Sequence, residues 1–231
     1  MSIYALRPVS ELNLILLGPP GSGKGTQGER LQSDFDLPYY ATGDILRAAV
    51  REETDIGREA KDYMDRGDLV PDDVMVGVIA ERIGDGEAED GFILDGFPRT
   101  EPQAEALGRK MDELGRSLTA ALLFEVPDEE VVRRLGGRRT CPNGHIFHAE
   151  FDPPQREGVC DVCGAKLEVR RDDEPEVIRH RLDQYHSKTK PLVDYYDRRG
   201  LLERIDGTRS PDEVAEGIRH LLATLQMQEE A

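Results

Sequence analysis

The sequence predicts an α/β fold in which helices cover both faces of a parallel sheet. The apolar run at residues 12–17 ends in glycines and is followed by a helical pattern over residues 24–34, which is typical of a buried strand that leads into a helix. Similar apolar runs recur at residues 92–94, 120–126 and 201–205, and each precedes a helix-like segment of ten or more residues. Strands that alternate with helices form parallel sheets with helices on both faces.

The sequence also marks where several helices begin. Ser210, Pro211 and Glu213 form a capping box, in which the serine and glutamate side chains bond backbone N–H groups that a helix start leaves unpaired. Asp128 follows Pro127 and places an acid in a first turn, where the helix dipole favours negative charge. We therefore expect a helix to start at each of these two places.

Two stretches interrupt the alternation of strands and helices. Residues 42–70 are helical without an intervening strand, and residues 137–173 are rich in Gly, Pro and Cys, with short alternating runs. The second stretch is too long for a plain loop. The chain has 231 residues, near the upper size for one domain. We therefore predict one core, formed by residues 1–41, 71–136 and 174–231, with two small inserted subdomains.

The charge balance excludes several partners. The chain has 47 acidic and 30 basic residues, a formal net charge of -17. Nucleic acids and anionic membranes attract proteins that concentrate Lys and Arg on one face, so neither is an expected partner. No apolar run approaches the ~20 residues of a membrane span. Residues 1–11 lack the basic start, apolar stretch and cleavage site of a secretory signal, which predicts a cytoplasmic protein.

The type of charged residue is also informative. The chain has six Lys against 24 Arg, and its acidic residues are spread along nearly every segment rather than gathered in tracts. This composition resembles that of proteins from salt-loving organisms, whose acidic surfaces remain hydrated in concentrated salt. The alternative is an ordinary acidic protein from a GC-rich genome. We predict a halophilic protein.

A glycine-rich loop joins the first predicted strand to the first predicted helix. Residues 18–26 read GPPGSGKGT. In this setting glycines let successive backbone N–H groups point at one anion, the helix N-terminus adds its positive end, and Lys24 supplies a mobile cation. The general phosphate-binding loop has Ser or Thr directly after the lysine, whereas here Gly25 precedes Thr26. The loop therefore predicts a phosphate site of a narrower class than the general phosphate-binding loop.

This loop resembles that of the adenylate kinase family, and further motifs match in the same order. They lie at residues 42–47 (TGDILR), 95–100 (DGFPRT), 137–139 (GRR), 151–154 (FDPP), 170–173 (RRDD) and 206–208 (DGT). The resemblance implies a P-loop three-layer fold with a five-stranded parallel sheet, an AMP-binding insertion at residues 42–70 and a lid at residues 137–173. It also implies reversible phosphoryl transfer, ATP + AMP ⇌ 2 ADP, which serves adenine nucleotide homeostasis.

Arginines recur in these motifs because phosphoryl transfer between two polyanions requires aligned nucleotides, excluded water and neutralised charge. Arginine suits this task, since its planar group donates two hydrogen bonds to phosphate and stays charged. The resemblance gives catalytic roles to Lys24, Arg99, Arg138, Arg170, Arg181 and Asp95. Asp95, at the carboxyl end of a predicted strand, is expected to orient Mg²⁺ through water. Arg139, Arg171 and Arg179 have no assigned role.

The resemblance also assigns nucleotide-binding residues. The ATP phosphates and base are assigned to Gly21, Ser22, Gly23, Lys24, Gly25, Thr26, Arg134, Ile146, Phe147 and Arg209. The AMP site comprises Thr42, Arg47, Met64, Asp68, Leu69, Val70, Gly96, Phe97, Pro98, Arg99, Gln103, Arg170 and Arg181. Thr42 and Gln103 favour AMP, whereas Asp68 stands where relatives often have Lys, so only its backbone is expected to matter. GTP as the donor, and UMP or CMP as the acceptor, are alternatives.

The lid is expected to hold a structural Zn²⁺ ion through Cys141, His145, Cys160 and Cys163. The two-residue gap between Cys160 and Cys163 directs both sulfur atoms at one metal ion. The other half departs from zinc-bearing relatives, which usually have a second Cys-x-x-Cys pair, and His148 or Asp161 could replace His145 as the fourth ligand. A disulfide is disfavoured by the odd number of cysteines and by the predicted cytoplasmic location. A redox pair of Cys160 and Cys163 lacks a thioredoxin-like context.

Two other classes of protein share parts of this pattern. A regulatory GTPase needs an Asn-Lys-x-Asp guanine reader and Ser or Thr directly after the loop lysine, and the chain has neither. A zinc-ribbon nucleic-acid-binding module is the non-enzyme alternative, but residues 137–173 carry six basic and seven acidic residues, a nearly balanced charge. We expect an enzyme that acts on ATP, AMP and ADP as a monomer, as long-lid relatives commonly are.

Overall fold

The structure, a computed structural model, describes residues 11–84 and 88–229. Residues 1–11 carry the prediction that the chain has no secretory signal, and of these only Glu11 is among the described residues. The strands of the main sheet are β1 (Leu12–Leu17), β2 (Tyr39–Ala41), β3 (Gly91–Asp95), β4 (Ala120–Glu125) and β7 (Leu202–Asp206). They are all parallel and lie in the order β2-β3-β1-β4-β7. The lid contributes a separate antiparallel pair, β5 (Arg138–Thr140) and β6 (Ile146–His148).

Nine α-helices are formed by the described residues. They are α1 (Lys24–Phe35), α2 (Thr42–Arg51), α3 (Asp55–Arg66), α4 (Asp72–Ile83), α5 (Glu101–Glu113), α6 (Asp128–Gly137), α7 (Pro175–Gln184), α8 (Pro191–Asp197) and α9 (Pro211–Glu229). A 3-10 turn (Arg171–Asp173) precedes α7, and a π-helical segment (Tyr185–Thr189) follows it. None of these helices is long and apolar enough to cross a membrane.

The sheet is buried on both faces, because successive residues along each strand point to opposite sides. On one face, strand residues pack against α1 and α9 in a cluster that includes Leu14, Leu16, Leu31, Ile93, Phe124 and Ile218. On the other face, they pack against α4, α5 and α8 in a cluster that includes Ile15, Leu17, Ile79, Leu94, Leu107 and Leu192. The predicted fold class, three layers around a five-stranded parallel sheet, is confirmed.

Strand β2 is the one member of the main sheet that the apolar runs did not indicate. It has three residues, and it pairs with β3 so that Tyr39 lies opposite Ile93 and Ala41 opposite Asp95. Three residues are too few to show a period, and β2 leads directly into α2 without a turn signal. The number of strands therefore followed from the family resemblance alone.

The predicted helix starts are confirmed. Ser210 N donates to Glu213 Oε2 at 3.0 Å, and Glu213 N donates to Ser210 Oγ at 3.4 Å, as a capping box requires. Asp128 is the first residue of α6. Residues 42–70, the predicted AMP-binding insertion, contain α2 and α3. Residues 137–173, the predicted lid, contain β5 and β6 with additional bridges between Thr140 and Glu168 and within the cysteine region.

Candidate active site

The loop between β1 and α1 depends on glycine. Gly18, Gly21 and Gly23 have φ values of 140°, 75° and 98°, in a region that other residues rarely adopt. A Cβ atom at Gly21 would lie 2.8 Å from Leu135 Cγ, so α6 packs directly over the loop. Left-handed turns at the start of a helix are a common means of converging backbone N–H groups on an anion.

Lys24 folds back over this loop. Its Nζ donates to the carbonyl oxygens of Gly18 at 2.9 Å and Pro19 at 2.7 Å, and to Ser22 Oγ at 3.3 Å. Burial lowers the pKa of the Lys24 ammonium group to about 8, although the negative charge of Asp95 opposes this and nearby arginines reinforce it. A phosphate in the loop would favour the charged form of this side chain.

The structure brings together the six cations that the sequence assigns to phosphates: Lys24, Arg47, Arg99, Arg138, Arg170 and Arg181. Burial lowers the pKa of Arg99 to about 10, and the charge of Arg181 adds to this effect. Burial and the charge of Arg138 lower the pKa of Arg170, also to about 10. Like charges held out of water are unfavourable, so the cluster suits a polyanionic ligand.

Two carboxylates hold several of these arginines. Asp173 has a side chain with 0% exposure, and it accepts hydrogen bonds from Nε and Nη2 of Arg138 at 2.7 and 2.6 Å. Asp172 Oδ2 lies 3.1 Å from Arg181 Nη1 and 3.9 Å from Arg47 Nη1. Burial raises the pKa of Asp172, but the surrounding arginines, Arg181 foremost, bring it below its usual value. Sequence reasoning gave these acids no role, although the RRDD run placed them beside two arginines.

Asp95 ends β3 at the carboxyl edge of the sheet, where ligands bind in open α/β folds. Tyr39 Oη donates to Asp95 Oδ2 at 2.8 Å, and Thr42 Oγ1 donates to the Asp95 carbonyl at 3.1 Å. The Tyr39 hydroxyl also lies 3.8 Å from a Cβ atom built on Gly25, so Asp95 lies beside the phosphate loop. A carboxylate in this position fits Mg²⁺ that is shared with phosphates and water, because this ion prefers hard oxygen ligands.

Thr42 and Gln103, the predicted readers of the AMP base, are both buried. Gln103 Nε2 donates to Asp72 Oδ1 at 2.7 Å, and Gln103 Oε1 accepts from Arg99 N at 2.7 Å. Both polar ends of this amide are therefore engaged by the protein, which fixes the orientation of the side chain next to Arg99. Recognition of adenine by these two residues stays a prediction.

Other residues assigned to AMP lie at the end of α3 and in the segment after it. Val70 is buried, and Met64 and Leu69 are half-buried. The carboxylate of Asp68 contacts α7, since its Oδ1 lies 2.7 Å from His180 Nε2. The side chain of Asp68 thus has a partner within the protein, and the expected backbone contact with AMP stays a prediction.

The residues assigned to the ATP base occupy different environments. Arg134 Nε donates to Glu130 Oε1 at 2.8 Å along α6, and Arg209 is exposed after β7. Ile146 is 48% exposed, whereas the neighbouring Phe147 is 9% exposed and packs in the interior of the lid. Of the two lid residues, Ile146 therefore offers the larger open apolar surface.

Four side chains converge in the lid, and their ligand atoms all lie within 4.8 Å of one another. The Sγ atom of Cys141 lies 3.3 Å from His145 Nδ1 and 3.7 Å from Cys163 Sγ. Cys160 Sγ lies 3.4 Å from the same His145 nitrogen. A tetrahedral zinc ion with Zn–S bonds of about 2.3 Å has S–S edges of about 3.8 Å and S–N edges of about 3.5 Å. These four residues could therefore hold one tetrahedral metal ion.

Neither alternative fourth ligand, His148 or Asp161, belongs to the group whose ligand atoms converge. His148 Nδ1 accepts the backbone N–H groups of Glu150 and Phe151, each at 3.0 Å, and Asp161 accepts from Gln155 N. All three cysteines are free. The set Cys141, His145, Cys160 and Cys163 is thus the group that the structure assembles.

Comparison with known proteins agrees with this geometry. A family model described as adenylate kinase matches residues 16–201. The chain belongs to the adenylate kinase family. It is 49% identical over 211 residues to an adenylate kinase of Methanosarcina barkeri, which covers 91% of this chain and 98% of that relative. It is 51% identical over 203 residues to an adenylate kinase of Methanococcoides burtonii, covering 88% and 94%, and 48% identical over 212 residues to one of Staphylococcus aureus, covering 91% and 99%.

Membership in the adenylate kinase family makes the chain a phosphotransferase of the nucleoside monophosphate kinase class. The match runs through the phosphate loop, the six cations and the whole lid, so the cysteine region is an insertion within an adenylate kinase domain. A free-standing zinc-ribbon module and a regulatory GTPase are both inconsistent with this result.

The lowered pKa of Lys24 predicts proton uptake when a triphosphate binds. Above about pH 8 much of the ammonium group is deprotonated, and bound phosphates raise its pKa, so binding must take up protons. Calorimetry with a non-hydrolysable ATP analogue, in two buffers of different ionisation enthalpy, measures this uptake. We expect uptake near pH 8.5 that is much smaller near pH 6.5 and in Lys24→Met. Equal uptake in the variant would assign the protons to another group.

Proposed function

We propose that this protein catalyses ATP + AMP ⇌ 2 ADP with Mg²⁺. The observation that carries the proposal is the cluster of six cations, to which the phosphate loop, α2, the segment after β3, the lid and α7 all contribute. Such a cluster suits two nucleotides whose phosphates meet at one point. The relatives named adenylate kinase support the same reaction.

The proposed roles follow the positions of the cations. The loop backbone and Lys24 hold the donor phosphates. Arg138 and Arg181 contact the transferring group. The acceptor phosphate is held by Arg47, Arg99 and Arg170. Charge on the transferring group is spread over its equatorial oxygens, so donors fixed in advance stabilise it more than mobile ones do.

Several parts of the chain support this preorganisation. Asp172 and Asp173 hold arginines in place before substrate contacts replace them. Asp95 would orient Mg²⁺ through water, and the ion would neutralise charge on the donor phosphates. These residues fit the reaction because alignment and charge neutralisation provide most of the catalysis of phosphoryl transfer.

The two insertions are proposed to enclose the nucleotides and exclude water. Direct contacts between them support this: Arg51 Nη1 donates to the Pro142 carbonyl at 3.2 Å, and Arg171 Nη1 lies 3.3 Å from Asp65 Oδ2. We propose that the AMP-binding insertion (42–70) and the lid (137–173) are subdomains of a core formed by residues 1–41, 71–136 and 174–231.

A coupled assay with ATP, Mg²⁺ and each monophosphate in turn tests the function. We expect ADP formation with AMP, and a fall of about a hundredfold or more in kcat for Lys24→Ala, because this charge contributes most in the transition state. Lys188→Ala, at an exposed lysine, is the matched control and should retain activity. Wild-type turnover in Lys24→Ala would reject the assignment. Preference for UMP, CMP or GTP would instead change the substrate.

We also propose that the lid holds structural Zn²⁺ through Cys141, His145, Cys160 and Cys163. The interatomic distances match the edges of a zinc tetrahedron, and the buried cluster around the site is small, with Phe147 and Leu167 beside two of the cysteines. A metal ion can replace the apolar core that so short a segment cannot form.

Metal analysis of protein purified without chelator tests the zinc site. We expect about one equivalent of zinc, and loss of zinc with a lower melting temperature in His145→Ala. His148→Ala, at the other histidine of the lid, should keep the ion. Less than about half an equivalent in the unmodified protein would reject the site, and undiminished zinc in His145→Ala would reject His145 as the fourth ligand.

We further propose a halophilic, cytoplasmic and monomeric protein. The chain has a net charge of -17, so its acidic side chains repel one another at low ionic strength. Molar salt shortens the distance over which charges interact to ~3 Å. Salt also weakens exposed ion pairs, but each of these contributes little to stability. The reduced repulsion between acidic side chains should therefore outweigh the weakening of the ion pairs. The melting temperature is expected to rise as KCl increases to about 2 M. A melting temperature that does not change with KCl would contradict halophilic adaptation. Analytical sedimentation in the same salt series tests whether the protein is a monomer.

A further inference from the structure

Tyr39 makes a contact with the site that the assigned roles do not use. Its Oη atom donates to Asp95 Oδ2 at 2.8 Å. Tyr39 lies opposite Ile93 in the β2–β3 register, so its side chain leaves the sheet on the same face as that of Asp95, two residues further along β3. An aromatic side chain is long enough to span this diagonal. The short strand β2 therefore places the Tyr39 hydroxyl next to the Asp95 carboxylate.

The ring of Tyr39 has a fixed position between β2 and α1. A Cβ atom at Gly28 would lie 2.3 Å from the Tyr39 ring, so the absence of a side chain at Gly28 leaves the space that the ring occupies. A Cβ atom at Gly25, in the phosphate loop, would lie 3.8 Å from Tyr39 Oη. The ring also packs against the apolar cluster that contains Leu31. The phenol is thus held beside the phosphate loop.

The hydrogen bond fixes one oxygen of Asp95 and leaves the other available. Burial and the negative charge of Asp95 raise the pKa of Tyr39 well above its usual range, so the phenol remains a donor at any working pH. Among the described residues, no hydrogen bond reaches Asp95 Oδ1. The carboxylate cannot rotate without breaking the bond to Tyr39, and so Oδ1 keeps one orientation.

We propose that Tyr39 is a positioning residue that orients the Asp95 carboxylate toward nucleotide-bound Mg²⁺. The inference rests on the proposed function, because it concerns the ion that accompanies ATP. An alternative is that Tyr39 only fills space next to Gly28, in which case the ring matters and the hydroxyl does not. The hydroxyl acts through Asp95, so its effect should appear in Mg²⁺-dependent steps and not in AMP binding.

Tyr39→Phe separates these two possibilities, because it removes the hydroxyl and keeps the ring. Tyr40→Phe is the matched control: the next residue of the same strand packs on the opposite face of the sheet, and its Oη donates to the Arg82 carbonyl at 3.2 Å. The primary measurement is binding of a non-hydrolysable ATP analogue, by calorimetry, with Mg²⁺ and with EDTA. This readout does not depend on turnover or on AMP.

We expect the gain in affinity that Mg²⁺ provides to fall about tenfold in Tyr39→Phe, with the affinity in EDTA unchanged. Tyr40→Phe should match the unmodified protein in both conditions. In the coupled assay, kcat should fall while KM for AMP stays within about twofold. An equal loss with and without Mg²⁺, or no loss at all, would overturn the inference.

A double-mutant cycle with Asp95→Ala keeps the test decisive if Tyr39→Phe is destabilised. If Tyr39 acts through Asp95, adding Tyr39→Phe to Asp95→Ala should cause no further loss of the Mg²⁺-dependent affinity. Additive losses would assign Tyr39 a separate role and reject the proposal. Absence of phosphoryl transfer to AMP in the unmodified protein would reject the proposed function, yet the binding comparison would still report on Tyr39.

Discussion

Mutual repulsion among six cations in a space largely removed from water is the constraint on which the site depends. Two like charges about 6 Å apart repel by about 3 kcal/mol at an effective dielectric constant of about 20, and several such pairs would rival the stability of a typical domain, about 5–15 kcal/mol. Asp172 and Asp173 offset this repulsion next to Arg138 and Arg181. Burial lowers the pKa of Lys24 to about 8 and the nearby arginines add to this effect, so the site remains favourable for a polyanion.

The lid meets the opposite difficulty, because it has little apolar material to bury. Its interior cluster consists of Cys141, Phe147, Cys160 and Leu167, with Ala165 at its margin. Several apolar side chains of the lid, among them Val162 and Val169, remain exposed. The Zn²⁺ ion that we propose would order such a segment through ligand atoms that converge on one point.

The sequence predicted most of the fold, because strands that are buried on both faces form continuous apolar runs, as in β1 and β4. It could not reveal β2, whose three residues take their conformation from pairing with β3. The phosphate loop carries Lys24, and the ordered motifs carry Arg47, Arg99, Arg138 and Arg170, whereas Arg181 lies outside the quoted motifs. The partners of those cations, and the packing of Phe147 in the lid rather than on its surface, depend on contacts between distant segments, which no local pattern encodes.

Strand β2 links the two halves of the site despite its length. Tyr39 holds the carboxylate of Asp95 on one side, and Thr42, one residue past the strand, holds the Asp95 carbonyl while beginning the AMP-binding insertion. The proposed donor and acceptor sites therefore share Asp95 of β3 as a fixed point. Reacting atoms must approach to about 3–3.5 Å for phosphoryl transfer. A fixed point shared by both proposed nucleotide sites limits misalignment of the two nucleotides. Any movement of residues 42–70 that preserves these two bonds leaves Tyr39 and Thr42 in place beside Asp95.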